Sequence, residues 1–149
     1  MKTRYGLEIR AATSADAAGI GELLTASGHA AAALAIARRL DAVRQAPGAA
    51  LLALEWGPPS GLVLLHWYPT LDADQATAQI TTLLVGAEHR RRGIGRLLVK
   101  AAAQAARVAG CGTLLVSVTP EQPALRQFCQ ATGFAAAGEC FARPLRKKG

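Results

Sequence analysis

Aromatic residues make up only 5% of this 149-residue chain, too few for the interleaved stacking platforms that hold single-stranded nucleic acid. Its three cysteines, Cys111, Cys129 and Cys140, are odd in number and form no Cys-x-x-Cys pair, which argues against a disulfide framework and against a zinc site. His29, His66 and His89 are scattered without ligand spacing, so no metal is expected. No apolar stretch approaches the roughly 20 residues that span a bilayer. The opening Met1-Lys2-Thr3-Arg4-Tyr5-Gly6 is followed by no apolar segment or small-residue cleavage site of the kind a secretory signal carries. A cytoplasmic protein with reduced thiols and no membrane partner is the expectation.

Acidic residues are the other shortage, 10 against 17 Lys and Arg, for a formal charge of +7. Such a balance attracts an anion: nucleic acid, a membrane surface or a phosphorylated small ligand. Distribution decides among them. Arg90, Arg91, Arg92, Arg96 and Lys100 crowd one short segment, and Arg143, Arg146, Lys147 and Lys148 crowd the C-terminus, where a solvated tail explains them. A compact basic cluster with few aromatics favours a small phosphorylated ligand over nucleic acid. The length suits one hydrophobic core, and the whole of 1–149 reads as a single domain.

Leu7 to Arg10 alternates as a short strand, and Ser14 to Asp16 offers capping side chains to a helix over Ala17 to Leu24. A second helix covers Ala30 to Val43 and stops before Pro47-Gly48. Ala50 to Glu55 and Gly61 to Trp67 flank a turn-rich Trp56-Gly57-Pro58-Pro59-Ser60 and predict an antiparallel hairpin. Thr77 to Val85 is a third strand, with Ile80, Thr82 and Leu84 expected on one face. From Ile94 the apolar residues Leu97, Leu98, Ala101, Ala102, Ala105 and Val108 fall at helical spacing as far as Gly110-Cys111-Gly112. Thr113 to Val118 then predicts a strand parallel to Thr77–Val85. A last helix over Pro123 to Thr132, capped by Gly133, and a closing strand over Ala135 to Ala142 complete the chain.

Chemistry concentrates in Arg90-Arg91-Arg92-Gly93-Ile94-Gly95-Arg96, between a strand and a helix start. The first turn of a helix carries backbone N–H groups without internal partners and the positive end of the helix dipole, so a diphosphate can accept several at once. Gly93 and Gly95 let the backbone approach closely. Three or four charge-assisted hydrogen bonds at about 1.5–3 kcal/mol each account for much of the roughly 8 kcal/mol of a micromolar ligand. A Walker A loop is excluded, since no Gly-Lys-Ser or Gly-Lys-Thr exists. A dinucleotide fingerprint also fails, because Leu98 stands at the third glycine position.

Arg90-x-x-Gly93-x-Gly95, after Thr81-Thr82-Leu83-Leu84-Val85 and opening an amphipathic helix, resembles the acetyl-CoA motif of the GCN5-related N-acetyltransferases (GNAT), Gln/Arg-x-x-Gly-x-Gly/Ala. Ala124 to Phe134, ending Thr132-Gly133-Phe134, resembles the family's following helix, and Leu7 to Ile20 its opening strand and helix. The resemblance implies an α/β fold with a mixed, mostly antiparallel sheet, a central splayed parallel pair and flanking helices. It implies acetyl transfer from acetyl-CoA to a primary amine by direct attack in a ternary complex, without a metal. Leu83, Leu84 and Val85 would face the pantetheine, Arg90, Arg91, Arg92, Gly93, Ile94, Gly95 and Arg96 the diphosphate, and Gln122 and Phe128 further parts of the cofactor. Glu55 and His66 are the candidate bases. The leaving thiolate is protonated in the family by a tyrosine whose position here is Cys129; Tyr68 or water are the alternatives. Asp72 and Asp74, in the segment from Glu55 to Asp74, would draw a cationic acceptor such as a polyamine, an amino sugar or a protein N-terminus. The resemblance also admits a homodimer, and two other functions stand beside transfer: a non-catalytic acetyl-CoA sensor and a basic nucleic-acid-binding protein.

Overall fold

The computed structural model describes residues 6–87 and 93–146. The chain divides into two compact units, Met1–Val116 and Ser117–Gly149. The first unit holds strand β1 (Glu8–Ala11), helices α1 (Ala17–Ala26) and α2 (Ala33–Gln45), strands β2 (Gly48–Leu54), β3 (Gly61–Tyr68) and β4 (Ala76–Val85), helix α3 (Ile94–Val108) and strand β5 (Cys111–Val116). The strands form one sheet in the order β1-β2-β3-β4-β5, antiparallel throughout except for the parallel pair β4 and β5. This is the mixed sheet expected from the sequence. The fifth strand starts at Cys111 rather than Thr113, so Gly110 alone ends the helix, at φ 89°.

Alternation along the strands sends side chains to two apolar layers. Val63 and Leu65 of β3 join Ala53, Ala78 and Ile80 in a core closed by Ile94, Leu98, Ala102 and Ala106 of α3. Leu62 on the opposite face joins Leu52 of β2 and Ile20, Leu23, Ile36 and Leu40 of α1 and α2. Helix α3 therefore covers one face and α1 with α2 the other. The expected apolar stripe of α3 is rotated slightly: Val99 and Ala106 are buried while Val108, in the last turn, is 79% exposed.

One pairing departs from strict alternation. Leu64 faces Thr82 and Leu65 faces Ile80, so Thr81 is an extra residue in β4, a bulge. Past it the parity reverses, and Leu83 and Val85 fall on the α3 side with Ile80, while Leu84 packs with the α1–α2 layer. The expected shared face of Ile80, Thr82 and Leu84 is thereby broken. A period-two reading cannot see this, because both faces of β4 are uncharged and an inserted threonine leaves no mark.

The entry of α1 is fixed by charge. The Arg10 guanidinium of β1 grips Asp16 through two parallel bonds, Nη1–Oδ2 at 2.9 Å and Nη2–Oδ1 at 2.8 Å. The Thr13 backbone N–H donates to the same carboxylate at 2.8 Å, as the returning half of a capping box.

The second unit contains α4 (Pro123–Ala131), with proline at its first turn where no N–H is needed. It ends on Gly133 at φ 95°, with the Phe134 N–H bonded to the Cys129 carbonyl at 2.9 Å, a Schellman closure. The closing strand expected over 135–142 is not formed. Ala135, Ala136, Ala137 and Gly138 have poor strand propensity, and Gly138 at φ 123° leaves the extended region altogether.

The Arg10 guanidinium and the Thr13 N–H hold Asp16 down to about 2 from 3.8. A carboxylate depressed on folding stabilises above its unfolded pKa, and that contribution is lost as pH falls through the folded value. Discounted for solvent screening, it is about 1 kcal/mol at neutral pH. Asp16→Asn should lower Tm by about 2–6 °C at pH 7. Its difference from the parent should close as pH falls from about 4 to 2, as followed by circular dichroism.

Candidate functional site

The sheet opens where β4 leaves β5. Their pairing runs from Ala76 opposite Cys111 to Ile80 opposite Val116 and stops there. From Thr81 to Val85 the edge of β4 has no strand partner on that side among the described residues. Those five residues expose roughly 13 Å of edge at about 3.3 Å per residue. The bulge at Thr81 stands at the point of parting, where added twist turns the strand away from its neighbour.

The open edge leads to the start of α3. Gly93 caps that helix at φ 80°, and a Cβ built on it would meet nothing within 4 Å. Its backbone conformation costs an L-residue about 1–2 kcal/mol, and the space beside it is open. The first turn contains no acidic residue and its cap makes no side-chain hydrogen bond, so among the described residues no side chain caps the N–H groups of Ile94, Gly95 and Arg96, which suits an anion. Ile94 is buried beneath the turn and Arg96 is exposed beside it. Arg90, Arg91 and Arg92 lie outside the described residues.

Two contacts hold this end of the sheet in place. The Gly86 N–H donates to the Ser60 carbonyl at 2.9 Å, while the buried Ser60 hydroxyl donates to the Ala53 carbonyl at 3.0 Å. A Cβ on Gly61 would lie 2.8 Å from Leu98 Cδ1, 3.0 Å from the Leu84 carbonyl oxygen and 3.1 Å from Ile94 Cγ2. Glycine there lets the first turn of α3 seat directly on the sheet. Sequence reasoning passed over Gly61 as the beginning of a strand, although glycine in a strand marks close approach of another element.

The remaining candidates divide along the sheet. Glu55 follows β2 at the end shared by Gly61 and Val85, nearest the start of α3. His66 pairs with Gln79, one pair beyond the Leu65–Ile80 pair that borders the bulge, and shares a sheet face with Leu62 and Leu64, the face covered by α1 and α2. Tyr68 lies two residues further along, its hydroxyl donating to Gln79 Oε1 at 3.3 Å. Asp72 and Asp74 are exposed in the β3–β4 loop, at the end of β4 opposite the start of α3. In the second unit the Gln122 side-chain carbonyl accepts from the Thr119 N–H at 3.0 Å and the Thr119 hydroxyl at 3.2 Å. Phe128 is half-buried and Cys129 buried, and burial pushes the Cys129 thiol above its ordinary pKa. No group of three or more His, Cys, Asp or Glu among the described residues is placed to hold a metal ion.

A mixed sheet thus parts beside a helix start without acids in its first turn. The sequence profile of the acetyltransferase (GNAT) family matches residues 20–134, and the chain belongs to that family of acyltransferases. Among solved structures it resembles an acetyltransferase from Trypanosoma brucei, with a TM-score of 0.80 at 22% identity over 93% of this chain and 99% of that one. It resembles equally a transcriptional regulator from Bacillus halodurans, with a TM-score of 0.85 at 19% identity over 93% and 99%. A third is an aminoglycoside N-acetyltransferase solved in complex with CoA, with a TM-score of 0.80 at 19% identity over 94% and 95%. At these identities the likeness is one of fold. No curated protein sequence matches the chain.

Gly61→Ala should displace the first turn of α3 rather than unfold the protein, because Leu98 and Ile94 can give by tenths of an ångström while the Leu84 carbonyl cannot. Affinity for CoA, measured by calorimetry, should fall about tenfold or more, with Tm reduced by only a few degrees.

Proposed function

We propose that the protein is an acetyl-CoA-dependent N-acetyltransferase acting on a primary amine by direct attack in a ternary complex, with 1–149 as one catalytic domain. The observation that carries the reading is the unpartnered edge Thr81–Val85 running into the acid-free first turn of α3. Backbone groups of Leu83, Leu84 and Val85 accept the pantetheine as a further strand. The N–H groups of Ile94, Gly95 and Arg96, with Arg90, Arg91 and Arg92, hold the diphosphate. Gln122 and Phe128 are assigned to the cofactor on family resemblance. Acetyl-CoA supplies the activated acyl carbon.

With the diphosphate at α3 and the pantetheine along Val85 to Leu83, the thioester falls beside the Thr81 bulge. That favours His66, one pair beyond the Leu65–Ile80 pair that borders the bulge, over Glu55, which lies at the diphosphate end. His66 takes the proton from the incoming ammonium, directly or through water, leaving a neutral nitrogen. The nitrogen forms the C–N bond, the oxyanion is held by a backbone N–H of the strand, and as the C–S bond breaks the now cationic nitrogen gives its second proton to water, leaving a neutral amide. The released thiolate takes a proton. Burial makes Cys129 a weaker acid than an ordinary thiol, so water or Tyr68 supplies it.

A non-catalytic acetyl-CoA sensor is the second reading, favoured by Cys129 standing where the family places its tyrosine. The two separate on one panel: binding without acetyl transfer to any of a broad set of amines selects the sensor.

Thermal denaturation with acetyl-CoA, free CoA or ATP tests the donor site. Both CoA species at ~100 times Kd should stabilise by about 2.7 kcal/mol, a shift of several degrees, with little from ATP. No shift at millimolar CoA, or full retention of affinity in both Gly93→Glu and Gly95→Glu, would refute it. Cys129→Ala should leave kcat within about threefold, since a buried thiol that only packs contributes nothing to proton transfer.

A further inference from the structure

Helix α3 turns one face to solvent, and that face carries charge of a single sign. Arg96, Lys100 and Arg107 are exposed at positions i, i+4 and i+11, which lie within about 40° of one another around a helix. The stripe they form runs about 16 Å along the axis at 1.5 Å per residue. Gln104 is exposed beside it, and the helix contains no Asp or Glu. None of the three cations makes an ion pair among the described residues, whereas Arg10 holds Asp16 and Arg44 stands 4.0 Å from Asp41. A solvated helix face ordinarily mixes the two signs, because acid–base pairs one turn apart support it. Apolar groups accompany the stripe: Ala103 stands half-buried between Lys100 and Arg107 along the helix, and Val108 is 79% exposed at its end. The head of the stripe is the acid-free first turn, which the open edge of β4 leads to.

We propose that this face docks an acidic carrier protein that bears its acyl group on a phosphopantetheine arm and feeds the arm into the same slot as CoA. The inference rests on the donor reading above and adds a second donor to it. Length argues for a protein rather than for the remainder of CoA. A coenzyme held by its diphosphate at the first turn has one further phosphate, within its own nucleotide, and Arg107 stands about three turns beyond Arg96. Charge complementarity defines the partner: an acidic helix laid along α3 sets carboxylates opposite Arg96, Lys100 and Arg107 and apolar side chains against Ala103 and Val108. A nucleic-acid backbone matches the cations but not Val108, and leaves the open edge of β4 without an occupant. The chemistry is unchanged by the carrier. The amine nitrogen forms the C–N bond and the carrier's C–S bond breaks. Of the two protons that the ammonium loses, one ends on the carrier's thiol and the other in solvent.

The test is calorimetry of the protein with an acyl carrier protein in its holo form, with the apo form that lacks the arm, and with phosphopantetheine and CoA alone. The holo-carrier should bind about tenfold more tightly than free phosphopantetheine, compete with CoA, and lose that advantage as salt rises. Lys100→Gln with Arg107→Gln, both on exposed side chains, should remove the advantage and leave CoA affinity within about threefold. Binding of the holo-carrier no tighter than free phosphopantetheine, or an advantage that survives the double substitution, would overturn the proposal. Duplex DNA binding that depends on the same two residues, without carrier binding, would overturn it as well. CoA binding without carrier binding would remove the docking face and leave the donor reading standing. Equal binding of both carrier forms through Lys100 and Arg107, with no binding of CoA, would refute the donor reading and keep the docking face.

Discussion

Everything about the site depends on β4 being a strand that pairs along its whole length with β3 but along only half of it with β5. The parallel ladder reaches Ile80 and Val116 and ends, while the antiparallel ladder continues to Val85 opposite Gly61. A strand held on one side and open on the other is stable only if its side chains are buried, because the edge itself adds nothing. Leu83 and Val85 supply that burial against α3, and Leu84 against α1 and α2. The Thr81 bulge lets one strand serve both layers in that order. It also marks the boundary between the half of β4 that completes the sheet and the half left to pair with something else.

The start of α3 is set by the same end of the sheet. Its first turn must lie close enough to β3 and β4 for a ligand to pass from the open edge to the free N–H groups without a gap. Gly61 makes that approach sterically feasible, and the bond from Gly86 to Ser60 fixes where the chain leaves β4. These are packing constraints rather than ligand contacts, which is why changes at Gly61 are expected to appear in affinity before they appear in stability.

Much of this was legible in the sequence because it is written in local patterns. The apolar run of β4, the glycine pair at Gly93 and Gly95, and the amphipathic spacing of α3 gave the strand-to-helix junction directly. Gly133 announced the end of α4. The features that escaped are those produced by pairing between distant segments. The bulge depends on how Leu64 and Leu65 meet residues 80–82, and nothing within β4 requires it. The separation of Glu55 and His66 to opposite ends of the open edge follows from β2 and β3 running antiparallel, so residues eleven apart in sequence could not be ranked as bases until the register was known. The absent strand over 135–142 shows the converse error, in which position after a helix outweighed an Ala- and Gly-rich composition that argues against β structure.

The scarcity of acids that opened the sequence reading takes on a second meaning at the site. On the proposed function a surplus of cations would draw the anionic donor to the start of α3, where a carboxylate in the first turn would oppose both the helix dipole and the ligand. The same surplus would work against a cationic acceptor. On that reading long-range attraction would favour the larger, more highly charged donor, and short-range contacts would be left to discriminate among acceptors.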